Sequence, residues 1–210
     1  MESHAETRIR SASRRHRALG GVAGNELLTM SIAAFLVVLL AAEFLTLLDL
    51  RDLLSVHMIL GLVLIPPVLL KLGSTGYRMV RYYTGSPAYR QKGPPLLALR
   101  LLAPVLVAST ITIFVTGVWL LALEHQSDQV LFLHQASVIV FAVVFGIHLL
   151  AYGLRTLRTL RSAWRHERPG LPGAGMRSML VASSLGAGVV LAVVLSSAIS
   201  AWQGGGPGFH

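Results

Sequence analysis

The feature that most constrains this chain is a series of long apolar runs that recur along its 210 residues. An α-helix rises about 1.5 Å per residue, so about 20 apolar residues are needed to cross the hydrocarbon core of a bilayer. Hydrophobic residues make up 54% of the chain and charged residues only 13%, which excludes an ordinary soluble domain. The sequence therefore predicts an all-α integral membrane protein.

The apolar runs predict five transmembrane helices. Their expected spans are residues 26–48, 53–72, 99–123, 131–153 and 179–202. The first four are predicted to form a four-helix bundle, and the fifth is one additional C-terminal helix. The expected organisation is a disordered basic cytoplasmic tail (1–25), the membrane bundle (26–153), an amphipathic basic interfacial segment (154–178), the fifth transmembrane helix (179–202) and a flexible tail (203–210).

Two local features interrupt the pattern of spans. Pro66 and Pro67 lie near the end of the second span and remove two backbone donors, which predicts a kink. Residues 73–98 are rich in glycine, proline, tyrosine and basic side chains. This composition predicts a loop whose tyrosines lie at the membrane interface.

The distribution of basic residues predicts the orientation. Of the 18 lysines and arginines, all but Arg51 fall on one side of a five-span alternation. The positive-inside rule then places the N-terminus inside and the C-terminus outside. The location that we expect is the cell inner (cytoplasmic) membrane, with the chain as a multi-pass protein. The net charge of +9 is explained by this asymmetry, so we expect anionic lipids at the basic inner loops and no nucleic acid partner.

The fourth span carries two histidines, His134 and His148. Ionisable side chains within a span are costly, and they usually face the bundle interior and serve a function. Fourteen residues at about 100° each leave the two rings about 40° apart around the helix axis and about 21 Å apart along it. Both rings are therefore predicted to point into one seam, one near each membrane surface.

A third histidine, His57, lies near the start of the second span, as His134 does in the fourth. Alternating spans make these two helices parallel, so both imidazoles should lie at the same depth near the outer surface. Two imidazoles from facing helices can hold a b-type haem iron without covalent attachment. We therefore expect haem ligation by His57 and His134, with Gly61 allowing the macrocycle to approach. Phe141 and Phe145 would pack against porphyrin edges.

A second haem near the inner face is an open alternative, with His148 as one metal ligand. Its partner on the second span would lie fourteen residues after His57, and that position is Lys71. A protonated lysine is a poor haem ligand, but it can pair with a haem propionate or extend to the interface. In the other interpretation, His148 donates a hydrogen bond to a backbone or Ser/Thr oxygen.

On these residues the chain resembles the bacterial membrane cytochrome b superfamily. That group includes the cytochrome b subunits of formate dehydrogenases and hydrogenases and the ferric-reductase-like membrane domains. Four core helices there hold haem through histidines on two of them, often in an H-x13-H arrangement. His134 and His148 reproduce that spacing, His57 matches the outer half of the second pair, and Lys71 departs from it. The similarity covers about residues 26–153.

The resemblance implies a function in electron transfer. By it, the chain would pass electrons between a quinone or an outside redox partner and the haem, as a subunit of a larger membrane complex. The sequence has no glycine fingerprint of a nucleotide-binding domain, so any substrate chemistry would come from partners. The chain has no cysteine, which excludes iron–sulfur clusters and covalent haem attachment.

Two other functions compete with this interpretation. A non-redox small membrane transporter or assembly scaffold would suit the double proline and the polar stripe of Ser109, Thr112 and Thr116. A copper or zinc protein could use the histidines, although the chain lacks cysteine and methionine clusters.

Overall fold

A computed structural model describes residues 20–91, 97–122, 127–165 and 173–205 of the chain. The basic tail up to residue 19 and the last five residues of the predicted flexible tail lie outside the described residues. Within the described ranges the protein is all-helical. The helices are α1 (Gly21–Thr46), α2 (Leu50–Tyr83), α3 (Pro87–Arg90), α4 (Leu97–Ala122), α5 (Asp128–Arg165), α6 (Ala174–Val194) and α7 (Ser196–Gly205), with a 3-10 turn, Leu47–Asp49, between α1 and α2.

Four stretches of the described chain are long and apolar enough to cross a membrane. They are Gly21–Tyr83, Leu99–Ala122, Asp128–Gly153 and Ala174–Val194. Only 11% to 22% of the most apolar part of each stretch is buried within the protein. Apolar side chains that face outward in this way suit contact with lipid, so the helices mark a multi-pass membrane protein.

The first of these stretches folds back on itself as a helical hairpin. Near its open end, the Asn25 Nδ2 group donates to the Ser74 carbonyl oxygen at 3.2 Å. Near the 3-10 turn, the Thr46 hydroxyl lies 3.0 Å from Nδ1 of His57. The sequence separation of these pairs falls from 49 to 11 toward the turn, so α1 and α2 are antiparallel.

The second hairpin consists of α4 and α5, which pack along each other. The first turn of α4 lies beside the last turn of α2, because the Arg100 guanidinium donates to the Tyr83 hydroxyl. Consequently α4 is antiparallel to α2, and α5 is parallel to it. Lighter contacts join α2 to α4 and α1 to α5, so α2 and α5 face each other diagonally across the four-helix arrangement.

The two ends of this arrangement differ in their side chains and are named accordingly. The turn end contains Thr46, His57, Thr116 and His134. The arginine end contains Arg78, Arg81, Arg90 and Arg100, and the short helix α3 folds against it. Tyr89 of α3 is 4% exposed and its ring meets that of Tyr77 at 6.2 Å, edge to face.

The helix α6 packs along α2 and makes lighter contacts with α1. A side-chain carbon at Gly188 would overlap the carbonyl oxygen of Val63, so the two helices are in backbone contact there. In a regular helix that oxygen accepts from the amide four residues later, which here is Pro67 and has no N–H. The glycine therefore lies against the carbonyl that the proline leaves without its helical donor.

The N-terminal hairpin is longer than the sequence predicted. Helix α1 begins at Gly21, so residues 21–25 do not belong to the tail. Helix α2 continues through Pro66 and Pro67 to Tyr83, where the loop over 73–98 was expected. Hydrogen bonds from Ser74 to α1 stabilise this part of α2 and explain why glycine-rich sequence stays helical.

The C-terminal boundaries also differ from the predicted ones. Helix α5 shows no break at residue 154 and, at 38 residues, is about 57 Å long, which exceeds the roughly 30 Å of a hydrocarbon core. Helix α6 starts before residue 179 and ends at Val194, and α7 follows after a turn. Trp202 of α7 donates from Nε1 to the Leu120 carbonyl oxygen at 2.9 Å, which requires the chain to turn toward α4.

Candidate functional site

The turn end brings His57 and His134 together in the middle of the four-helix arrangement. Their ring centroids are 6.4 Å apart and their planes cross at 87°. His57 lies early in α2 and His134 early in α5, and these two helices are parallel and diagonally opposed. The two rings therefore reach one another from separate hairpins.

The hydrogen bonds of His57 fix the position of its proton. Its Nδ1 lies 3.0 Å from the Thr46 hydroxyl oxygen and 3.0 Å from the Glu43 Oε1. The Thr46 hydroxyl donates its only proton to the Glu43 backbone carbonyl at 2.6 Å, so toward the ring it can only accept. We therefore assign the Nδ1–H tautomer to His57, in which Nε2 carries the lone pair.

The same logic applies to His134 in the second hairpin. Its Nδ1 lies 3.0 Å from the Thr116 hydroxyl oxygen. That hydroxyl donates to the Thr112 carbonyl at 2.6 Å, so it too accepts from the ring. Both histidines are thus held through Nδ1–H by a threonine across their own hairpin, and the Nε2 edge of each is the side available to a metal ion.

Glu43 distinguishes the two histidines. Its side chain lies near the end of the first apolar run, but it is only 16% exposed and turns inward to His57. A Cβ at Gly61 would lie 3.6 Å from the Glu43 Oε1, so the missing side chain leaves room for this carboxylate. Gly61, which was expected to let the macrocycle approach, thus lies beside the Glu43 carboxylate, which contacts His57.

Gly117 has a similar relation to the other ring. A Cβ at this position would approach Cε1 of His134 to 3.3 Å, which is closer than an ordinary carbon contact. The glycine therefore allows the His134 ring to lie against α4. No role for Gly117, Thr46 or Glu43 at the histidines was recognised in the sequence. Their positions relative to the turns could have identified them. In an antiparallel hairpin, side chains shortly before the turn lie across from those shortly after it, as Thr46 and His57 do.

The other predicted site residues lie further along α2 and α5. The rings of Phe141 and Phe145 stack at 5.3 Å with an interplanar angle of 7°. His148 bonds through Nδ1 to the Val144 carbonyl of its own helix at 3.0 Å. Lys71 donates from Nζ to the Thr29 carbonyl of α1 at 2.9 Å. In the described part of the chain, Lys71 and His148 make no hydrogen bond to each other.

The donor set at the turn end fits a haem iron. The described ranges contain no group of three or more His, Cys, Asp and Glu side chains that could hold a metal ion. A haem iron needs only two ligands from the protein, because the porphyrin supplies the other four. Imidazole nitrogens lie about 2.0 Å from a bound metal, which puts the centroids of two rings on opposite sides of one ion about 6 Å apart.

The fold and this site together define an all-helical, multi-pass membrane protein with a threonine-anchored imidazole pair at one end. Comparisons with the profiles of known families, with curated proteins and with solved structures found no match to this chain.

Proposed function

We propose that this protein is a membrane b-type cytochrome that binds one haem b between His57 and His134. It carries electrons between a quinone or a redox partner protein and the outer face of the membrane, as a subunit of a larger oxidoreductase. One observation carries the proposal. Two imidazoles from facing helices, each anchored through Nδ1–H, lie with their centroids 6.4 Å apart.

The protein's own residues prepare this site before a cofactor arrives. Thr46 and Thr116 fix the tautomer and the ring orientation of the two histidines, so each presents its Nε2 lone pair. A bound haem would supply reversible one-electron transfer between its ferric and ferrous states. Phe141 and Phe145 offer a stacked aromatic surface further along α5, which we propose contacts the edge of the macrocycle.

The proposal includes an orientation in the bacterial inner membrane. In this proposal the first apolar stretch, which folds back on itself, crosses the membrane twice. The four stretches would then make five crossings, with the N-terminus inside and the C-terminus outside. Supporting this, Arg78, Arg81, Arg90 and Arg100 gather at the arginine end, where they suit a cytoplasmic surface and anionic lipid headgroups. Among the described arginines of α2, Arg51 lies at the turn end. The turn end would then face outward.

An optical spectrum tests the proposal directly. The protein is expressed with a haem precursor, purified in detergent and incubated with excess hemin, so that cofactor supply is not limiting. The reduced-minus-oxidised spectrum is then expected to show the bands of a low-spin b-type haem. The matched control is the double variant His57→Ala/His134→Ala, which should show none. A wild-type protein without these bands after hemin addition would refute the proposed function.

A further inference from the structure

The two histidines of the site are anchored unequally, and this difference carries an inference that rests on the proposed function. Nδ1 of His134 contacts a neutral hydroxyl, that of Thr116. Nδ1 of His57 contacts a neutral hydroxyl and, in addition, the carboxylate of Glu43 at 3.0 Å. The pair would therefore place one neutral and one carboxylate-supported imidazole on the two sides of one iron.

Within the described residues, the Glu43 carboxylate has few partners other than His57. Its second oxygen, Oε2, is buried and has no hydrogen-bond partner within the described residues. The first oxygen, Oε1, makes its ion-pair contact with His57. In a medium of low dielectric constant, a carboxylate that no other donor satisfies acts strongly on the one group that it contacts.

A carboxylate that accepts from Nδ1–H draws the proton toward itself and raises the electron density at Nε2. An imidazole with more electron density is a stronger donor to a metal ion and stabilises the higher charge on it. The relevant couple is the reduction of ferric to ferrous haem by one electron, with no bond formed or broken. A stronger axial donor favours the ferric side of this couple.

We propose that Glu43 is a positioning residue that would lower the reduction potential of a bound haem by making His57 the stronger donor of the two histidines that would hold it. Gly61 contributes by leaving the space that the carboxylate occupies. Glu43 does not touch the iron, and it acts through the Nδ1–H of His57.

Redox titration of Glu43→Gln tests this inference. Glutamine keeps the size of the side chain and an acceptor oxygen but removes the charge, so haem content should remain that of the wild type. At one fixed pH and one fixed solution potential, we expect the ratio of reduced to oxidised haem to rise about tenfold, which is a shift of about 59 mV for a one-electron couple. The low-spin ferric EPR spectrum, which reports axial donor strength, should change as well.

Two further variants serve as controls. Glu43→Asp keeps the charge but shortens the side chain by one carbon, so its potential should lie between those of the wild type and Glu43→Gln. Asp52→Asn removes an exposed acid near the start of α2, where solvent and salt screen its charge, and should leave the potential unchanged. An equal shift in Asp52→Asn would overturn the inference, because the effect would then come from net charge alone.

The remaining outcomes separate this inference from the proposed function. Bound haem with an unchanged potential and EPR spectrum in Glu43→Gln would overturn the inference and leave the proposed function standing. Loss of haem from Glu43→Gln would also overturn it, since a tuning role requires the haem to stay bound. Absence of haem from the wild-type protein would refute the proposed function itself.

Discussion

The turn end and the arginine end start from the same spacing in the sequence. His57 and Lys71 are fourteen residues apart on α2, and His134 and His148 are fourteen residues apart on α5. By spacing alone, the two parallel helices would place His57 with His134 at one end and Lys71 with His148 at the other. In the structure, the rings of His57 and His134 meet at the turn end, whereas within the described residues Lys71 and His148 make no hydrogen bond to each other.

The anchoring of these side chains explains the difference. At the turn end, Thr46 and Thr116 hold the histidine rings from a neighbouring helix, so each ring is fixed relative to the bundle. At the arginine end, His148 bonds to a carbonyl of its own helix, and the Lys71 ammonium is held by a carbonyl of α1. Spacing along a helix thus sets the depth of a side chain in the bundle. The hydrogen-bond partner of that side chain determines whether it is held toward a second residue to form a site.

The largest expected effect comes from two replacements on the same helix. His134→Ala should remove the b-type haem bands, because it takes away one of the two axial ligands, whereas His148→Ala should retain them. Haem per chain, measured by pyridine haemochrome assay on the purified variants, compares the two. Equal haem content in both variants would remove the distinction between the two ends.

The anchors should have a smaller effect than the ligands. Thr116→Val keeps the shape of the side chain but removes the acceptor of His134 Nδ1–H, and we expect hemin affinity to fall about 10- to 100-fold. Thr110→Val is the matched control, because Thr110 is a buried threonine of α4 that bonds only to the Leu106 carbonyl of its own helix. Hemin titration of the apoprotein measures both. A similar loss in both variants would show that buried hydroxyls matter in general.

A third replacement tests whether the contact between α6 and α2 is independent of the two ends. Gly188→Ala forces a side-chain carbon against the Val63 carbonyl and should cost about 1–3 kcal/mol of stability, while the haem spectrum of the folded protein stays the same. Gly186→Ala meets open space and should have little effect. Thermal denaturation in detergent gives the comparison. Equal midpoints for the two variants would contradict the close helix contact.

The smallest expected effect belongs to the arginine end. Lys71→Met keeps the apolar length of the side chain and removes its hydrogen bond to the Thr29 carbonyl. Because we assign the haem to the turn end, neither the haem content nor the reduced-minus-oxidised spectrum should change. A loss of half of the bound haem would instead indicate a second haem and would make the two ends alike.

The sequence was sufficient for the features that depend on composition and depth. Apolar runs predicted the helices, and the positions of His57 and His134 predicted that the rings lie at one level. The features that depend on contacts between helices could not be predicted from composition and spacing. The extension of α2 past residue 72 follows from the hydrogen bonds of Ser74 to α1, and the turn before α7 follows from the bond of Trp202 to α4.

The position of Glu43 at the site also depends on a contact between helices and could not be predicted from the sequence. An acid near the end of an apolar run is expected to reach water, and only the antiparallel register of α1 and α2 turns it toward His57. The register is set by the 3-10 turn at Leu47–Asp49, a short segment with no distinctive composition. The pairing of the two histidines could therefore be predicted from the chain, whereas the carboxylate that we propose acts on His57 could not.

The contact between Gly188 and Val63 has a consequence for how this chain can change in evolution. Pro67 leaves a carbonyl without its helical donor, and α6 must come close enough to cover it, which only a residue without a side chain permits. Substitutions at two positions far apart in the sequence are therefore coupled. A lineage that replaces Pro67 would regain the helical hydrogen bond and release the constraint on residue 188. A lineage that first places a side chain at residue 188 would displace α6 from α2.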